Sequence, residues 1–108
     1  MKPYKVILRE DAASDLADIY RWIHQASLSP SIAERYVQRI IAFCEKIGTM
    51  PHGGRRRDDL VSGLRTFPFE KRAVIAYFIE GEMVLITNVF HSGRDYEALY
   101  RGEPETEV

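Results

Sequence analysis

The hydrophobic period of this chain changes once, and that change limits what it can fold into. Between Asp11 and Gly48 the apolar residues recur at helical spacing. From Gly63 to His91 they crowd and alternate as strands do, rich in β-branched and aromatic side chains. Two helices followed by three strands require a layer of helices on a sheet, each hiding its apolar side against the other. At 108 residues the chain has room for one core and one domain.

Local signals set the boundaries. YKVILRE reads as a short strand through Leu8. DAASDLADIYRWIHQA then places Ala12, Leu16, Ile19, Tyr20 and Ile23 on one helical face, with Glu10, Asp11 and Asp15 toward the N-terminal end that favours negative charge. SLSPS breaks the pattern. Ser29 before Pro30 fits a cap with proline in the first turn, and Ser31 with Glu34 offers a capping box instead. Ala33, Tyr36, Val37, Ile40, Ile41, Cys44 and Ile47 form the face of a second helix that stops at Gly48. A short turn between two such helices makes an antiparallel hairpin.

Residues 49–62, TMPHGGRRRDDLVS, read as a polar linker, its three arginines compensated by Asp58 and Asp59 in a solvated loop. GLRTFPF, RAVIAYFI and MVLITNVFH follow as strands, with Pro68 demoting the first to a short or edge strand. Glu70-Lys71 reads as a two-residue turn that sets Phe69 opposite Arg72. The expected fold is α+β, β-α-α-β-β-β, a helical hairpin packed on a small antiparallel sheet. Both strand faces are rather apolar, so the face away from the helices is expected to offer a partner surface. The single domain is expected over 1–101 and a mobile acidic tail over 102–108.

Charge and cysteine content narrow the function. Fifteen basic and sixteen acidic residues give a net charge of -1, whereas a dedicated nucleic-acid binder carries a basic excess. Cys44, the single cysteine, falls in an apolar helical stripe and suits a reducing compartment. No cysteine–histidine spacing suggests a metal, and no cofactor motif is present. MKPYKVILRED lacks the apolar core of a signal peptide, and AVIAYFI is too short to span a bilayer, so a cytoplasmic protein without a membrane partner is expected.

The stretch VFHSGRDYEAL, residues 89–99, concentrates chemistry at a strand end. His91, Arg94 and Tyr96 are residue types that phosphate transfer uses. Ser92 and Asp95 equally permit a capping box opening a short C-terminal helix.

Three phrases, AASDLADIYRWI, MPHGGRRRDDLVSGLR and VLITNVFHSGRD, resemble in their order and spacing the ParE branch of the RelE/ParE toxin superfamily, over roughly residues 4–96. The resemblance implies the toxin of a type II toxin–antitoxin system. Such a toxin inhibits DNA gyrase by binding, is neutralised by a cognate ParD-like antitoxin, and meets DNA only through the antitoxin complex. Two alternatives stay open. A RelE-like toxin would be a metal-independent endoribonuclease cutting messenger RNA in the ribosome, and a member that has lost potency would be a non-toxic partner-binding module.

RNA cleavage by its own 2′-hydroxyl needs a base, an acid and cations on the phosphate. Arg65, Arg72 and His91 are the candidates for that chemistry, with Glu70, Lys71, Arg94 and Tyr96 as helpers. A binding inhibitor needs no catalytic residue. Its contacts would come from Trp22, Arg55, Arg56, Arg57, Arg65 and Arg94, types favoured at interface hot spots.

Overall fold

A computed structural model describes residues 2–91 and 93–104. The chain runs β1 (Lys5–Leu8), α1 (Glu10–Ser27), α2 (Pro30–Ile47), β2 (Arg55–Arg56), β3 (Arg65–Phe69), β4 (Ala73–Glu80), β5 (Met83–His91) and α3 (Tyr96–Arg101). One five-stranded sheet has the order β1-β5-β4-β3-β2. The three long strands form the expected antiparallel meander, while β1 pairs parallel to β5, which makes the sheet mixed.

The helices start and stop for local reasons. The Ser29 hydroxyl accepts the Ile32 N–H at 3.3 Å and Pro30 occupies the first turn, so the first of the two cap readings holds. At the end of α2, Gly48 permits a close approach. A Cβ there would lie 2.5 Å from the carbonyl oxygen of Tyr4, the residue before β1, whose N–H bonds to the Gly48 carbonyl at 2.8 Å and ties it to the helix end. Asp15 does more than meet the helix dipole. Its Oδ2 accepts the backbone N–H of Val89 at 2.9 Å and the Asn88 amide at 3.2 Å, fastening α1 to β5.

That fastening sits beside an irregularity. The β4–β5 register shifts between Ala76 and Tyr77, where Ala76 faces Asn88 and Tyr77 faces Ile86, so Thr87 is the extra residue of a β-bulge. Val84 and Ile86 before the bulge, and Val89 after it, thus all join the core beneath the helices. His91 follows on that side, its ring 5.1 Å from Trp22 and 5.5 Å from Tyr36. The main core sets Leu16, Ile19, Tyr36, Ile40 and Cys44 against Phe69, Ile75, Tyr77 and Val84.

Three expectations need correction. The 49–62 segment contains a strand: Arg55 pairs with Thr66 and Arg56 with Arg65. Its reach ends there, so Pro68, lacking an N–H for a further neighbour, lies on the open edge of β3. Second, the turn after β3 has three residues, because Phe69 pairs with Ala73, although the Arg72 N–H still bonds to the Phe69 carbonyl at 3.0 Å. Third, the sheet face away from the hairpin is covered. Leu64, Ala76 and Phe90 are buried there under Leu60, Tyr96 and Tyr100, which come from the 57–64 loop and α3.

The C-terminal helix forms, opened by Asp95, whose Oδ1 accepts the Ala98 N–H at 3.1 Å. Ser92, the other half of the anticipated capping box, lies outside the described residues, as does the tail from residue 105.

Candidate functional site

The residues singled out in the sequence separate into two groups at opposite ends of β3. Arg55, Arg56, Arg57 and Arg65 gather where β2 meets the start of β3. Trp22, Arg72, His91 and Arg94 gather at the other end, around the β3–β4 turn and the end of β5. Arg65 and Phe69 are four residue steps apart along the extended strand, about 13 Å. The anticipated trio of Arg65, Arg72 and His91 is therefore not brought together.

In the first group Arg65 is structural in its contacts. Its Nη1 donates to the carbonyls of His52 and Gly54, both at 3.1 Å, and so pins the loop before β2. The neighbouring Tyr77 hydroxyl completes that anchor, donating to the Pro51 carbonyl at 2.8 Å and accepting the Gly54 N–H at 3.0 Å. Arg56 is exposed and bonded to Asp58 at 2.9 Å. Arg57 departs most from the expected solvated loop. Its side chain is 5% exposed, gripped by both Asp59 oxygens at 3.0 and 2.9 Å, with Glu97 as a further partner. The arginines are compensated as expected, but Arg57 is removed from any surface contact set, leaving Arg55 and Arg56 to present charge there.

The second group surrounds a strained turn. Glu70 and Lys71 both have positive φ, 47° and 60°, in positions where hairpin turns favour Asn and Gly. For side chains with a Cβ the left-handed region costs about 1–2 kcal/mol each, so the packed neighbours must hold the turn in place. One hold is visible. Arg39 on α2 grips the Glu70 carboxylate with two parallel bonds, 2.9 and 3.0 Å, and stands over the Tyr36 ring at 5.2 Å. This pair keeps the Glu70 carboxyl below its usual pKa. Neither Arg39 nor Tyr36 was evident as a site residue from sequence, because each reads as a member of an ordinary amphipathic helix.

His91 ends the central hairpin. Burial pushes its pKa down and the charge of Arg72 pushes it further in the same direction, so the ring is neutral at pH 7. Trp22 is half exposed, and its edge contact with His91 makes it both a packing residue and part of the surface.

Three hollows meet here. A cleft of about 470 Å³ opens between the end of α1 and the start of α2, lined by Trp22, Ile23, Ile32, Tyr36, Arg39 and Arg72 among others. The Tyr36 hydroxyl, deeply buried beside it, has no hydrogen-bond partner among the described residues. A second hollow of about 180 Å³ lies between Trp22, His91, Arg94 and the carboxylates Asp15 and Asp18. A third, about 200 Å³, sits across the strand ends between Lys71, Arg72, Phe90 and Arg94.

A family model described as the ParE toxin of type II toxin–antitoxin systems, parDE, matches residues 6–96. The chain belongs to the ParE toxin family. The match runs from the second residue of β1 to the first residue of α3 and thus includes both arginine groups. Among solved structures, the chromosomal ParDE system from P. aeruginosa superposes with a TM-score of 0.70 at 22% identity, over 82% of this chain and 95% of that one. The RelBE2 toxin–antitoxin complex from Mycobacterium tuberculosis superposes with a TM-score of 0.61 at 20% identity, over 84% and 100%. At such identities the likeness is one of fold. Among curated proteins none matches by sequence. The ParE fold thus accounts for the helical hairpin on its sheet, and the side chains must speak for the activity.

Proposed function

We propose that this ParE-family chain is the toxin of a type II pair, inhibits DNA gyrase by binding it in the cytoplasm, and is neutralised by a cognate ParD-like antitoxin. The observation that carries this reading over ribonuclease activity is the dispersal of the would-be catalytic groups. Arg65 is tied to two loop carbonyls at the far end of β3. Glu70, the candidate base, has both oxygens engaged by Arg39. His91 is neutral and flanked edge-on by two aromatic rings, poorly placed as a general acid.

Inhibition by binding needs no such constellation. A toxin that favours the gyrase conformation holding cut DNA raises its population by the difference in affinity between the two states. Arg55, Arg56, Trp22 and Arg94 are exposed and are the candidates for that contact.

For the antitoxin, the cleft between α1 and α2 is the favoured seat. The far sheet face is already covered by α3, while Trp22 and Ile32 are about half exposed at the cleft and Leu28 stands exposed in the turn between the helices. An amphipathic segment could bury these residues and supply a partner for the Tyr36 hydroxyl.

The test is to induce the chain alone in a bacterial host and pulse-label DNA and protein synthesis, alongside a supercoiling assay with purified gyrase. We expect DNA synthesis to fall first and supercoiling to be inhibited. Early arrest of translation with cleaved messenger RNA would replace this reading with the ribonuclease one. Unimpaired growth would leave a non-toxic partner-binding module.

A further inference from the structure

The cleft between α1 and α2 has one cation more than its acid can answer. Trp22, Ile23 and Ile32 belong to its apolar wall, and Arg39, Glu70 and Arg72 to its charged end. Glu70 is the carboxylate that lines it, and Arg39 takes both its oxygens, at 2.9 and 3.0 Å. The Arg72 guanidinium is left over. Among the described residues the ion pairs engage Arg21, Arg39, Arg56 and Arg57, and not Arg72, whose exposed side chain leaves its charge to water.

An unmet donor lies beside that cation. Tyr36 is 6% exposed, and its hydroxyl has no hydrogen-bond partner among the described residues. Its ring is fixed by edge contacts with Phe69 and His91 and by the Arg39 guanidinium over its face, so the hydroxyl is held in place. Burial is the main force raising its pKa. Glu70 adds to the rise, while Arg72 and Arg39 oppose it. The hydroxyl therefore stays protonated at pH 7, and it feels the charge of Arg72.

A partner laid over this cleft strips water from Arg72 as it covers the hydroxyl. An apolar side chain at that point leaves a desolvated cation, a cost that packing does not return. A carbonyl or an amide accepts from Tyr36 and leaves the cation unneutralised. A carboxylate answers both, one oxygen for the hydroxyl and one for the guanidinium, with charge-assisted bonds to each. We propose that the cleft selects an acidic side chain, and that the antitoxin places one Asp or Glu between Tyr36 and Arg72 with apolar side chains beside it on Trp22 and Ile32. This rests on the reading that the antitoxin seats in the cleft, and goes beyond it by fixing the chemistry of the contact. The apolar side chains supply buried area, while the acid separates the cognate segment from equally apolar ones. The selection does not depend on gyrase being the target.

The experiment is a double-mutant cycle by titration calorimetry, with the product of the gene adjoining this chain's own as the antitoxin. Each Asp and Glu of that antitoxin is replaced in turn by Asn or Gln. In the chain the changes are Arg72→Gln, Tyr36→Phe, Ile32→Ala in the apolar wall, and Lys46→Gln outside the cleft. We expect Arg72→Gln to weaken binding about tenfold without lowering the melting temperature of the free chain, and Tyr36→Phe about fivefold. Lys46→Gln should change nothing. One antitoxin acid should match the Arg72 loss, and once it is neutralised Arg72→Gln should cost nothing further. If Ile32→Ala weakens the complex while no acid couples to Arg72, the antitoxin sits in the cleft and the proposal is overturned. If neither Ile32→Ala nor Arg72→Gln alters binding, the seat itself is wrong and the proposal falls with it. Absence of any complex would overturn both.

Discussion

Arg57 and Glu97 form an ion pair across forty residues of sequence, with the guanidinium almost wholly buried. The same guanidinium holds Asp59 with two bonds and donates to the Tyr96 hydroxyl at 3.3 Å. One side chain therefore joins the 57–64 loop to α3, and the two together roof Leu64, Ala76 and Phe90.

Removing that join should loosen α3 ahead of the rest. Arg57→Met keeps the packed stem but loses the charge-assisted bonds. The carboxylates are 55% and 41% exposed and regain water, so the expected loss of stability is modest, about 1–2 kcal/mol. Urea unfolding measures it. Hydrogen exchange should show amides of α3 losing protection while those of β4 and β5 keep theirs. Uniform loss across the sheet would mean that Arg57 supports the main core as well.

Cys44 should be chemically silent in the folded chain. It is fully buried, and burial pushes its thiol up to about 12. The thiolate is the reactive form, so at pH 8 almost none is present and none is accessible. A disulfide-exchange reagent should label Cys44 only after denaturant is added. Prompt labelling of the native chain would show that α2 opens readily.

The legible part of this structure is the part that apolar periodicity encodes. The order of elements, the Ser29-Pro30 start of α2 and the burial of Cys44 follow from residue spacing and turn chemistry. Periodicity has no means of showing a buried cation. Arg57 reads as one of three adjacent arginines, and its burial depends on Glu97, which the fold brings near only after β5 is in place. The bulge at Thr87 is hidden for a related reason. Its stabilising contact comes from Asp15, 74 residues from Val89. The distance between Arg65 and His91 likewise depends on register, which a list of strand residues leaves open.

Acid should destabilise the fold in two steps. His91 has a folded pKa below its ordinary 6.5, so its stabilising contribution is complete above that value and is lost as the pH falls through the folded pKa. Asp59 and Glu70 are held below their ordinary values of 3.8 and 4.5 by Arg57 and Arg39. Their contribution is present above those values and disappears further down, as the pH falls through the depressed pKa values. Melting temperature followed from pH 8 to pH 3 should show both declines. His91→Gln should remove the upper one and leave the lower. An unchanged profile in that variant would assign the upper step to another group.

Tyr36→Phe should separate stability from recognition. Its hydroxyl is buried without a partner among the described residues, and burial pushes its pKa up. Deleting an unsatisfied buried hydroxyl removes a desolvation cost at nearly constant shape, so the free chain should gain about 1 kcal/mol. The ring contacts with Phe69 and His91 remain. If an antitoxin segment fills the cleft and bonds to that hydroxyl, the same change should weaken the complex by about 1 kcal/mol, close to fivefold in dissociation constant. Thermal melting of the free chain and titration calorimetry of the complex give the two numbers. A more stable chain that binds as before would place the antitoxin elsewhere on the surface.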